Sequence, residues 1–112
     1  MSGAGPTGSP QARFEDGLRL LAAALALEAD HRNGAAIVTA SCSALQRFME
    51  LLEAAEQRDL PDPEGERPRL RRQLEALLTP RQSPQAAATH ALEAARLARD
   101  QAALVLPGLM RQ

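Results

Sequence analysis

The chain has no lysine, no tryptophan and no tyrosine, and only one cysteine and two phenylalanines in 112 residues. Each shortage removes a class of structure or chemistry. A single thiol, Cys42, cannot close an internal disulfide and offers no spaced set of soft metal ligands. The scarcity of aromatic and β-branched side chains takes away what sheets prefer. It also removes the aromatic platforms on which single-stranded nucleic acid stacks. A formal net charge of −1 leaves no global field to gather nucleic acid or anionic lipid. No apolar run approaches the ~18 residues of a spanning helix, so no transmembrane segment is expected. The opening MSGAGPTGSP lacks the basic and apolar regions of a secretory signal, which makes a cytoplasmic, reducing setting the expectation. The all-arginine basic set follows from codon composition as readily as from any need for guanidinium chemistry.

What is present is Ala and Leu. They head the helix-propensity ranking, and together with 24% charged residues they describe an ordinary globular chain built from helices. At this length it forms one domain, able to bury roughly two-thirds of its unfolded surface. Residues 1–9 are rich in Gly, Pro and Ser and are expected to be a disordered tail. The domain is expected over 10–106, followed by a tail over 107–112.

Ser9-Pro10 is a helix start, a hydroxyl N-cap followed by Pro in the first turn. Phe14, Leu18, Leu21 and Leu25 then recur at helical spacing. Gly17 is expected to weaken this helix by about 1 kcal/mol relative to Ala. Asn33-Gly34 is a turn signal tolerant of positive φ. The second pattern, 35–57, carries one apolar row of Ile37, Ala40, Ala44, Phe48, Leu51 and Ala55 and an adjacent row of Val38, Leu45, Met49 and Leu52. Two rows imply two neighbours, which predicts the central helix of a bundle. Residues 58–68 hold Pro61, Pro63, Pro68 and Gly65 and are expected to form a structured loop. A short third helix fits 68–78, with Leu70, Leu74, Leu77 and Leu78 inward, and 79–82 breaks it. Ser83-Pro84 repeats the start signal. A fourth helix is expected over 84–106, stopped by Pro107-Gly108. Its seam of Ala91, Ala95, Ala98, Ala102 and Val105 allows close approach but buries little area per residue, which predicts the most loosely held helix. The fold class is all-α, an antiparallel bundle of three to four helices.

No constellation looks catalytic, and no cofactor or metal is expected. His31 lies in a polar turn and His90 early in the fourth helix, with no ligand-like spacing between them. Cys42, between Ser41 and Ser43, has no thiolate-stabilising neighbour in sequence and fits a small buried position. The one basic cluster is Arg67, Arg69, Arg71 and Arg72, flanked by Glu64 and Glu66. It reads as the solvated face of the third helix, or as a contact for phosphate or an acidic partner. Glu50, Glu53 and Glu56 form an acidic strip along the second helix, able to meet a basic motif on a partner.

The run Leu20-Leu21-Ala22-Ala23-Ala24-Leu25-Ala26-Leu27-Glu28-Ala29-Asp30, then Asn33-Gly34, then Ala44-Leu45-Gln46-Arg47-Phe48-Met49-Glu50-Leu51-Leu52, resembles the opening of the microtubule-interacting and trafficking (MIT) domain. Leu70-Arg71-Arg72-Gln73-Leu74-Glu75-Ala76-Leu77 has a mix of Arg, Leu and Glu comparable to that family's third helix. The likeness covers about half the chain. The family's second-helix tyrosines are missing, a Pro-rich connection is longer, and a fourth helix is added. The resemblance implies a non-enzymatic, peptide-binding adaptor acting on endosomal membrane-remodelling tails, with an endosome-associated location. It places a groove between the second and third helices, making Met49, Leu52, Leu70 and Leu74 candidate contacts for a partner helix or tail, with Glu53 and Arg71 as flanking charges. The alternative is a structural helical subunit of a homo- or hetero-oligomer, suggested by the alanine seam.

Overall fold

The computed structural model describes residues 9–30, 34–60, 67–77 and 83–111, apart from the side chains of residues 67, 73, 74, 76 and 77. Those residues form four helices and no strand: α1 (Pro10–Ala29), α2 (Gly34–Gln57), α3 (Arg67–Leu77) and α4 (Pro84–Met110). The all-α bundle expected from composition and periodicity is the observed fold. The N-terminal tail, His31 and Asn33, most of the proline-rich loop, Leu78 and the break at 79–82 lie outside the described residues.

Both Ser-Pro signals work as capped starts. Ser9 Oγ accepts from the Ala12 amide at 3.3 Å and Ser83 Oγ from the Ala86 amide at 3.1 Å. Each satisfies a backbone donor that the first turn leaves open, an effect of about 1 kcal/mol. Helix α2 ends differently. The Leu60 amide reaches back to the Ala55 carbonyl at 2.9 Å and the Asp59 amide to that of Glu56 at 3.1 Å, with Asp59 at φ 56°. This is a Schellman close with aspartate, not glycine, in the left-handed position.

Around α2 the two expected rows merge into one broad dry arc. Ile37, Ala44, Leu45, Phe48, Leu51, Leu52 and Ala55 are all buried in it, and α1 and α4 share the task of covering it. The helix with the most neighbours is α4, which packs on α1, α2 and α3. The alanine seam is buried throughout, joined by Ala88, Ala94, Leu92, Leu106 and Leu109. So the expectation that α4 is loosely held is wrong: small side chains buried little area singly, but they let three helices come close to one. At ~100° per residue, α4's buried positions cover roughly half its circumference.

Two further expectations are corrected. The stop read at Pro107-Gly108 is overridden, and α4 runs through Pro107 to Met110. Burial of Leu109 and a 2.8 Å hydrogen bond from Arg58 Nη1 to the Leu109 carbonyl hold the added turn in place. Gly34 is not a left-handed turn residue but the buried first residue of α2, where a β-carbon would come within 2.7 Å of the Pro84 carbonyl oxygen. It lets the N-terminal ends of α2 and α4 touch.

Helix α1 crosses α2 at Gly17 and Phe48. The Phe48 ring is fully buried and meets Phe14 at a centroid distance of 5.7 Å, tilted by 59°. Among the described residues no helix is long and apolar enough to cross a membrane.

Candidate interaction surface

The six residues singled out as partner contacts separate into three kinds. Leu52 and Leu70 are 3% and 2% exposed and belong to the chain's own core cluster; Met49 is half-buried against that cluster. Glu53 and Arg71 are exposed. The side chain of Leu74 lies outside the described residues. Of the apolar anchors expected in an α2–α3 groove, Leu52 and Leu70 are therefore occupied in holding the bundle together, and α3 makes its substantial packing against α4. What the expected site leaves at the surface is charge.

The charges of α1 and α2 largely satisfy one another. Arg13 Nε lies 3.3 Å from Glu50 Oε1, Arg47 Nε donates to Asp16 Oδ2 at 2.8 Å, and Arg19 Nη2 donates to Asp16 Oδ1 at 2.6 Å. These residues, with Ala12 and Glu15, line an open cleft of about 640 Å³ between the two helices. Hydrogen bonds from Arg47 and then Arg19 hold the Asp16 carboxyl below its ordinary range, and the same contact raises Arg47. Three arginines and three carboxylates make the cleft electrically balanced. Sequence reading missed this cluster. Only the Asp16–Arg19 spacing was visible in one helix, and the Asp16–Arg47 pair exists because of the crossing at Gly17.

The same balance continues on α4. Arg96 reaches Glu28 of α1 at 4.0 Å and Arg99 pairs with its neighbour Asp100 at 3.1 Å. Helix α3 differs. Arg71 and Arg72 are exposed, and neither makes an ion pair or hydrogen bond among the described residues. They are the described arginines within helices of which that is true. Arg69 is exposed as well but has an interaction of its own.

A second surface feature is apolar. Leu104 and Met110, 43% and 52% exposed, lie with Ala103 and Pro107 on the outer side of the last two turns of α4. The same side further up carries Glu93, Arg96 and Asp100, so the exposed face of α4 changes from charged to apolar at residue 103.

The remaining candidates for chemistry stand apart. Cys42 is half-buried, and burial pushes its thiol up from the ordinary 9.0, opposite to the shift that activates a nucleophile. His90 is half-buried on α4. Ser41 Oγ is fully buried without a hydrogen-bond partner among the described residues, while Thr39 and Ser43 on either side bond back to the Ala35 and Thr39 carbonyls. Among the described residues no three His, Cys, Asp or Glu side chains gather as a metal site. Comparison of the chain with models of known families, with curated proteins and with solved structures finds no match.

Proposed function

We propose that the chain is a non-enzymatic helical interaction module that binds a helix or tail of a partner protein. The observation that carries this reading is the contrast in arginine chemistry. Arg13, Arg19, Arg47, Arg96 and Arg99 each hold a carboxylate, and Arg58 holds a carbonyl, whereas Arg71 and Arg72 of α3 are exposed and have no partner among the described residues. Helix α3 contributes one described side chain, Leu70, to the core. A short helix that presents two adjacent arginines unmatched among the described residues suits recognition. The resemblance of the first two helices to the MIT opening supports the same class, and with it a setting in endosomal trafficking. The expected α2–α3 groove enters in altered form: Leu52 and Leu70 belong to the core, and the exposed charges of α3 meet the partner.

The test is reconstitution. A protein captured by the intact chain is purified and its affinity measured for wild type and for the double variant R71E/R72E. The reading requires a large loss of affinity with an unchanged helical circular dichroism signal. Equal affinity for the two forms would remove α3 as the contact.

The exposed apolar end of α4 favours the oligomeric reading as a second reading. On that reading the wild-type chain self-associates with rising concentration, and L104E/M110E is monomeric in sedimentation. A wild-type chain that stays monomeric across the series excludes a homo-oligomer.

A further inference from the structure

We infer that α3 is a docking face for an acidic peptide segment, whose carboxylates are held by the guanidinium groups of Arg71 and Arg72. This rests on the reading of the chain as an interaction module and names the chemistry of the partner.

The argument begins with supply. Acidic residues outnumber basic ones, fourteen to thirteen, so unpaired arginine is not forced by a shortage of carboxylates. Among the described residues, two adjacent arginines on one helix are nevertheless left unmatched. Glu75, one turn further on, stands at a spacing suited to either and has an interaction of its own. Adjacent helical residues project ~100° apart, so Arg71 and Arg72 bracket a strip of α3 instead of stacking along one line. An acidic segment laid along that strip meets a guanidinium on each side. Each guanidinium is a planar fork matched to a carboxylate by two parallel N–H donors. The support is fixed, since Leu70, the residue just before the pair, is buried in the core shared with α4.

Guanidinium forks suit phosphate equally well, so the choice of partner is made by what surrounds them. A nucleic acid is disfavoured by the chain's overall balance of charge. It is also disfavoured by the placement of both phenylalanines, which pack on each other at the α1–α2 crossing and offer no base a stacking surface. A bilayer surface is disfavoured because the exposed described side chains of α3 are Pro68, Arg69, Arg71, Arg72 and Glu75, with no large apolar group to enter the lipid. The α1–α2 cleft does not compete for the same ligand, because its carboxylates already match its arginines. A carboxylate-bearing protein segment is the chemistry that remains.

The experiment titrates the full chain against a short fluorescein-labelled Glu-rich helical peptide, followed by anisotropy at low salt. Binding is expected, weakened at least about tenfold in R71E/R72E and progressively as NaCl is raised. R71K/R72K keeps the charge but loses the fork, and should fall between the two. Full affinity in R71E/R72E with native circular dichroism overturns the proposal. So does equally strong competition by inorganic phosphate or by phosphatidylserine vesicles. A Lys-rich helical peptide and an uncharged Ala/Leu helical peptide are run in parallel. If either of these binds while the Glu-rich peptide does not, the acidic partner is wrong and the interaction module stands. If none of the three binds, both fall.

Discussion

The ring of Phe48 fills the space beside Gly17. A β-carbon at Gly17 would lie 2.6 Å from Phe48 Cε1 and 2.9 Å from Cζ. In an exposed helix, Gly17→Ala would gain about 1 kcal/mol of helix propensity. Here the ring has little room to move, being fully buried with the Phe14 ring packed at a tilt against it. Overpacking costs about 1–3 kcal/mol, so the substitution is expected to destabilise on balance despite the better helix former. A lower urea midpoint with unchanged slope confirms this, and Phe48→Leu in the same chain should recover part of the loss. A raised midpoint in Gly17→Ala alone would mean that α1 and α2 cross less tightly.

Asp59 supplies the second test. Its φ of 56° is a conformation that costs an ordinary L-residue about 1–2 kcal/mol and aspartate somewhat less. Glycine adopts it without strain but loses more freedom on folding. Asp59→Gly is therefore expected to stabilise by roughly 0.5 kcal/mol, and Asp59→Ala to destabilise. Thermal melting of the three forms should rank them Gly, Asp, Ala.

How much of this was legible in the sequence divides along a physical line. Local signals were sufficient where the cause was local. Ser9 and Ser83 cap their helices because a hydroxyl before proline leaves few alternatives, and the seam from Ala91 to Val105 shows in its spacing. Signals failed where the cause lay in another helix. Gly17 and Gly34 looked like weak points or turns, and are close approaches to Phe48 and Pro84. Leu52 and Leu70 looked available to a partner because periodicity marks an apolar residue without saying whose core it enters. The neutral cleft at Asp16 could not be read at all before the register of α1 on α2 was known. The arginines of α3 were visible as a cluster, but that Arg71 and Arg72 lack partners among the described residues depends on where each carboxylate ends up.

Acid should loosen the α1–α2 crossing. Arg47 and Arg19 hold the folded-state pKa of Asp16 below its ordinary 3.8. As pH falls, the unfolded chain takes up the proton first. The contribution of Asp16 is thus complete above the ordinary carboxyl range and is lost as pH drops through the lower folded value. Because the carboxyl faces solvent, the effect is modest and screened by salt. Asp16→Asn should be less stable than wild type near neutral pH, with the difference closing as pH falls from about 5 to 2 and also shrinking in high salt. Parallel pH–stability curves for the two proteins would show that the ion pairs add nothing to folding.

The last turn of α4 sets two effects against each other at one end of the molecule. Pro107 has no amide hydrogen, so the Ala103 carbonyl lacks its helical donor, and the ring crowds that same carbonyl; an interior proline costs about 3 kcal/mol. The helix continues because the turn beyond it buries Leu109, a gain of about 1.5–3 kcal/mol, and is tied down by Arg58. The two terms are nearly equal, so each can be tipped. Pro107→Ala restores the bond at an exposed position and is expected to stabilise by about 1–3 kcal/mol. Leu109→Ala leaves the proline unopposed and should cost about 2–5 kcal/mol. Hydrogen exchange at the amides of residues 108–111 separates the local from the global effect: protection there should rise in the first variant and vanish in the second, while the amides of Ala94 to Ala98 shift only with overall stability. Protection at 108–111 that is the same in wild type and Leu109→Ala would mean that Leu109 is not what carries α4 past its proline.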